Sequence, residues 1–174
     1  MRTEQTHSAF TLIEVMLVVV IISILAAIAI PGVLRSRCEA SESQAIGNLH
    51  TLVNVLETYR ANLPSYPGSA IGWQAALYGV DCSPGTAPDP DYGPSAFCVS
   101  MNNSSVHGYR YTYTPSAAAN ANGYTITADP VTFGVTGTRA FFVDESGVIR
   151  HCLGASGATA ASAVVAHPPN ATCP

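Results

Sequence analysis

The residue whose chemistry stands out is Glu14. It is a carboxylate set inside an otherwise apolar run, FTLIEVMLVVVIISILAAIAIPGVL, from Phe10 to Leu34. An acidic side chain deep in a membrane costs about 2.5–3.5 kcal/mol on insertion scales, so it calls for a partner or a function. No Lys, Arg or His lies within the run. Two readings follow. Glu14 sits near the start of the run, at headgroup level and solvated, or a cation is created by processing. A cut between Ala9 and Phe10 would leave an α-amino group on Phe10, close to one helical turn from Glu14. That amine could neutralise the carboxylate of its own chain or of a neighbour packed alongside.

Nothing else in the chain assembles into reaction chemistry. HExxH, P-loop, GxGxxG and CxxC patterns are all absent, and His7, His50, His107, His151 and His167 are scattered. No catalytic residue, metal site or cofactor is expected, and the chain reads as a non-enzyme. Asp81, Asp89 and Asp91 share a loop whose oxygens would suit calcium, but their spacing matches no EF-hand, and they read as solvated turn residues. Net charge is −4, lysine is absent, and no basic patch appears, which disfavours nucleic-acid binding.

The element that positions Glu14 is the run itself. As a helix its 25 residues rise about 37 Å, enough to cross a bilayer core. A polar leader, residues 1–9, precedes it and reads as a targeting segment, outside the fold. An ordinary secretory signal is the rival: Val15–Leu25 as its apolar core and Ala27-Ile28-Ala29 as the cleavage site. Its leading region would then be long and would hold Glu4 and Glu14 against Arg2 alone among side chains. Arg35 and Arg37 follow the span, so the positive-inside rule does not itself favour a cytoplasmic N-terminus.

Ala9-Phe10-Thr11-Leu12-Ile13-Glu14-Val15 resembles the prepilin peptidase motif of type IV pilins and of the pseudopilins of type II secretion. The resemblance continues to Pro31, where the family usually carries a helix-bending proline, and covers residues 9–37. It implies that a prepilin peptidase cuts before Phe10 and that the new amine is N-methylated. It further implies that Glu14 pairs with the N-terminus of an adjacent subunit during filament assembly. Ala9 stands where the family usually has Gly. The N-terminus is expected in the cytoplasm, on the strength of this resemblance. The precursor would sit in the bacterial inner membrane as a single pass and later join a periplasmic or extracellular filament. The implied partners are copies of the same chain in a helical filament, the peptidase, the inner-membrane assembly machinery and, before assembly, the membrane.

Beyond the span, Ala45, Ile46, Leu49, Leu52, Val53, Leu56, Tyr59 and Leu63 recur at three- and four-residue spacing, an amphipathic stripe. One helix is therefore expected from Phe10 to Ala61, bent or locally melted at Pro31-Gly32. Pro64 to Gly68 ends it, and Ile71–Tyr78 reads as a short helix around the sole tryptophan, Trp73. Tyr109, Tyr111 and Tyr113 alternate with polar residues, as do Tyr124, Ile126 and Ala128, with an Asn122-Gly123 turn between them. Arg139–Val143 and Val148–Arg150 flank a turn at Asp144–Gly147. The fold class is thus α+β and pilin-like: a long N-terminal helix on an antiparallel sheet of about four strands, with the tyrosines as core. The segments are a leader at 1–9, a membrane and polymerisation half at 10–34, an amphipathic half at 35–63 and a globular head at 64–174.

Five cysteines in a chain with an export-type start suggest an oxidising compartment, and they allow several two-bridge pairings. The pairing favoured is Cys82–Cys98 and Cys152–Cys173, leaving Cys38 over. The first bridge would close a loop of roughly 16 residues, worth about 3 kcal/mol in the chain-entropy model. The second resembles the C-terminal disulfide-bounded loop of type IV pilins, which major pseudopilins usually lack. Sequons at Asn102, Asn103 and Asn170 arise easily by chance in this composition. The reading taken is a structural subunit of a type IV pilus. A type II secretion pseudopilin is the alternative, and a secreted or membrane-anchored periplasmic domain a further one.

Overall fold

The computed structural model describes residues 10–68, 73–78, 92, 105–115, 123–159, 162–164 and 172–173. Cys82, Cys98, Ala9, Asn122, the aspartates 81, 89 and 91 and all three sequons lie outside them. The chain divides into two compact units, the first ending at Ser36 and the second running Arg37–Pro174.

A single helix, α1, spans Leu12–Asn62 and continues through Pro31. It starts after Thr11 rather than at Phe10, because Thr11 caps it. In the first unit the helix carries its apolar side chains outward, Ile13, Leu17 and Ile24 among them. Proline cannot donate the bond it would owe to residue 27, yet the helix is not melted there. The Ala27 carbonyl is the one left without that donor, and past the proline Ser36 Oγ also donates to the Gly32 carbonyl at 3.1 Å.

In the second unit the helix buries Ala45, Leu49, Leu52, Val55 and Leu56, with Ile46, Val53 and Tyr59 half-buried around them. This is the expected stripe with Val55 added and Leu63 lost. Leu63 falls past the end of the helix and is 40% exposed. The partner surface is a meander of β1 (Tyr109–Pro115), β2 (Tyr124–Pro130), β3 (Arg139–Asp144), β4 (Arg150–Leu153) and β5 (Ala163–Val164). Neighbours in sequence are neighbours in the sheet, and every pairing is antiparallel. The four expected strands are present, and the fifth adds a two-residue edge. A short helix, α2, occupies Trp73–Tyr78, within the segment where the apolar pattern predicts one.

Period-two alternation puts Tyr109, Tyr111 and Tyr113 of β1 and Tyr124, Ile126 and Ala128 of β2 on the helix side, all buried. The aromatic rings pack on one another: Tyr66 meets Tyr124 edge-on at 4.8 Å and Trp73 stacks on Tyr113 at 5.2 Å. β3 is buried on both faces. Phe141 and Val143 join the main core, while Ala140 and Phe142 form a second cluster with Cys152, Ala158 and Cys173. Ala158 and Cys173 therefore pack on the far side of the sheet, with Cys152 and Cys173 joined by a disulfide.

One strand differs from expectation. β4 begins at Arg150, not Val148. The Asp144 carboxylate accepts from the Ser146 N–H and hydroxyl, and Ser146 Oγ accepts from the Val148 N–H at 3.3 Å. These local bonds hold residues 145–148 in a turn, so the β3–β4 pairing ends at Phe142 opposite Arg150.

Candidate functional site

The candidate site is the start of α1. Thr11 is the N-cap: its carbonyl accepts from the Glu14 and Val15 N–H groups at 3.2 and 3.3 Å, and its Oγ1 accepts from Glu14 N–H at 3.3 Å. Thr11 and Glu14 thus occupy the first and last positions of an S/T-x-x-E capping box. Glu14 lies in the first turn, where the helix dipole favours an acid. Sequence reasoning weighed Glu14 as a membrane anomaly and as an assembly partner, not as part of a helix start. The Thr11-x-x-Glu14 spacing also carried a helix-start signal, which explains why an acid suits this position before any partner arrives.

Phe10 and Glu14 line one shallow groove with Val15, Val18 and Val19. Phe10 is 80% exposed. The carboxylate and the residue that would bear the new amine therefore share a helix face, solvent-accessible and lined by branched aliphatic side chains. Such a face can pack on another apolar helix with one polar pair inside it. Pro31 and Gly32 sit within the same helix, and a side chain at Gly32 would meet nothing within 4 Å.

The second unit holds a cluster that sequence reasoning missed. Glu42 is 3% exposed. Its carboxylate accepts from Thr138 N–H (2.7 Å), Thr138 Oγ1 (2.9 Å) and Arg139 Nε (2.7 Å), and pairs with Arg139 Nη2 at 2.6 Å. Burial pushes this carboxyl up. The Thr138 N–H, then the Arg139 and Thr138 side-chain bonds and the Arg139 charge, outweigh it and hold Glu42 below its ordinary value. Beside it, Cys38 is buried and unpaired, with Sγ 3.0 Å from the Val135 carbonyl oxygen. Tyr109 donates to the Arg139 carbonyl at 2.9 Å, and Gly137 lies against that ring, where a Cβ would come within 2.0 Å of the hydroxyl oxygen. This is a latch between α1 and the β2–β3 connection, and its chemistry is structural. No group of three or more His, Cys, Asp or Glu side chains among the described residues could hold a metal.

Comparison with known proteins bears on the N-terminal motif. Residues 5–30 match the family model for the prokaryotic N-terminal methylation motif. The chain thus carries the prepilin-type motif on a membrane-length apolar helix that continues into an α+β head, the arrangement of a pilin-like, inner-membrane-anchored precursor. It is similar to the type II secretion system core protein G of Aeromonas hydrophila, 32% identical over 87 residues, half of this chain and 58% of that protein. It is 34% identical to the Vibrio cholerae protein of that name over 77 residues, covering 44% of this chain and 53% of the relative. The Pseudomonas aeruginosa protein is 38% identical over 71 residues, covering 41% and 50%. The chain thus spans little more than half the length of the curated relatives it matches. No solved structure matches it.

Proposed function

We propose that the chain is a pseudopilin-type structural subunit of a type II secretion apparatus. The reading rests on one observation. Similarity to core protein G runs over 87 residues, far past the motif at 5–30 that pilins and pseudopilins have in common. In this reading a prepilin peptidase cuts between Ala9 and Phe10, and the Phe10 amine is methylated. The apolar helix then leaves the membrane to pack among identical helices, and Glu14 pairs with a neighbour's Phe10 amine. A buried pair of that kind contributes more to register than to net stability. Pro31-Gly32 is the proposed point of helix bending in the assembled state. Copies of the chain, the peptidase and the inner-membrane assembly machinery are the proposed partners.

A type IV pilus subunit is the second reading, favoured by the Cys152–Cys173 bridge that closes the C-terminal segment. Deletion separates the two. Loss of protein export with surface fibres intact supports the pseudopilin, and loss of sheared surface fibres containing this chain supports the pilin. Both readings require processing. The protein from its native membrane should begin at Phe10, one methyl group heavier than its sequence mass. A start at Ile30 would mean a conventional signal peptide and end both. Glu14→Gln should abolish filament yield while leaving processing intact, and normal yield would refute the register role.

A further inference from the structure

We propose that the β2–β3 connection, Val131–Val135, rests in the headgroup boundary of the membrane that anchors the precursor, as a second lipid contact of the head. The proposal rests on the membrane-anchored reading of the N-terminal helix.

The second unit hides its large apolar side chains well, and the exceptions cluster. Val131, Phe133 and Val135 are 46%, 55% and 63% exposed, against Leu63 and Leu153 at 40% elsewhere among the described residues of this unit. The three alternate with Thr132, Gly134 and Thr136, and the stretch from Val131 to Thr138 carries no charged residue. The turn is rigid. Val135 and Thr136 N–H groups donate to the Thr132 carbonyl at 3.1 and 2.9 Å, and Thr132 N–H donates to Thr136 Oγ1 at 3.1 Å. Gly134, at φ +78°, donates to the Gly137 carbonyl at 2.9 Å. Of the five N–H groups of Val131–Val135, those of Thr132, Gly134 and Val135 are thus satisfied within the turn, and Val131 N–H donates to the Gly108 carbonyl at 2.9 Å, which suits a segment leaving bulk water.

Position supplies the occupant. The turn is tied to Cys38 through Val135 and to Glu42 through Thr138 and Arg139. Cys38 lies four residues beyond Leu34, the end of the apolar run, so at most about 14 Å of chain separates it from the membrane-crossing segment. Headgroup layers add roughly 5–8 Å to each side of the hydrocarbon core, which puts the turn within reach of that boundary. Arg35 and Arg37, both exposed, lie in the same short stretch and suit anionic headgroups, with Glu39 partly offsetting them. Three side chains are too few for a stable protein interface, which needs about 800 Å² per partner. A lipid boundary needs no matching surface.

The test places a tryptophan at the tip of the turn. Full-length Phe133→Trp is reconstituted in vesicles of phosphatidylethanolamine and phosphatidylglycerol, some carrying bromine high on the acyl chains. Native Trp73 is 7% exposed and gives a fixed background. Flotation with the vesicles checks the anchor, and circular dichroism checks the fold. The added emission should be blue-shifted, should lose most of its intensity to brominated lipid, and should resist iodide. Val135→Trp should behave alike, whereas Leu63→Trp, about 37 Å farther along the helix from Cys38, should be quenched by iodide and not by lipid. Vesicle-bound Phe133→Trp protein whose added emission responds to iodide alone overturns the inference and leaves the anchor standing. Shielding from both quenchers means a protein covers the turn and also overturns it. Failure to float refutes the anchor, and the inference with it.

Discussion

Replacing Glu42 by alanine should unlatch the head from its own helix. Glu42 is 3% exposed and satisfies three donor contacts on Thr138 and Arg139 beyond its charge. Truncating one member of a buried ion pair costs about 3–5 kcal/mol, chiefly by stranding the other charge. The Arg139 side chain is 28% exposed, so water can recover part of the guanidinium's solvation and the cost falls below that range. Thr138 N–H, left without an acceptor at the helix interface, adds back about 1–3 kcal/mol. The expected loss is therefore about 2–4 kcal/mol, with roughly 3–5 °C of melting temperature per kcal/mol for a domain of this size. Arg139→Met should cost more than Glu42→Ala, because it strands a carboxylate that is only 4% exposed. Denaturation of detergent-solubilised protein, followed by Trp73 fluorescence, measures both. The pH dependence is the sharper check. Glu42 titrates lower in the folded chain than its ordinary 4.5, so its contribution is complete above that pH and is lost as pH falls through the folded value. The gap between wild type and Glu42→Ala must narrow in acid. A gap under about 0.5 kcal/mol at neutral pH, the level of an ordinary surface substitution, or one that stays constant into acid, would refute the latch.

Other predictions follow from single contacts. Gly137→Ala drives a methyl to 2.0 Å from the Tyr109 hydroxyl oxygen, which overpacking puts at about 1–3 kcal/mol, and Tyr109→Phe in the same chain should restore part of it in a thermal melt. Cys152→Ser opens a bridge between residues 21 apart and should cost about 3 kcal/mol, and reductant should then lower the stability of the wild type by more than that of the variant. His151 is buried with both ring nitrogens lacking a bond, and burial, then the Arg139 charge, holds its pKa below 6.5 against the pull of Glu42. The unfolded chain takes up that proton first, so stability should fall as pH drops from 6.5 toward the folded value. His151→Leu should flatten that limb of the stability–pH curve, and an unchanged slope would count against the assignment.

What could be read from the residues follows from the range of each interaction. Period 3.6 in Ala45–Leu56 and period 2 in Tyr109–Tyr113 and Tyr124–Ala128 are local patterns, and each predicts its own buried face without knowledge of the other. The helix, the strands and their mutual core were accordingly legible, as was the apolar run with its single acid. The misses share a different property. Glu42 and Thr138 are 96 positions apart, so nothing near Glu42 distinguishes a buried latch from a solvated helix acid. Gly137 looks like an ordinary loop glycine until the Tyr109 ring is set against it. Val148 has strand propensity, yet three local hydrogen bonds around Ser146 keep it out of the ladder. The Thr11 cap was local and could have been found, but the cost of Glu14 in lipid drew attention from its fitness at a helix start. Those two properties of Glu14 are complementary. The cap and dipole make the acid tolerable where the helix begins, and the same exposure on the Phe10 face leaves the carboxylate open to a partner's charge. Thr11→Val therefore separates helix initiation from assembly. It removes the cap, worth about 1 kcal/mol, while keeping Glu14, so reduced filament yield in that variant would show that assembly depends on how the helix starts as well as on the charge it presents.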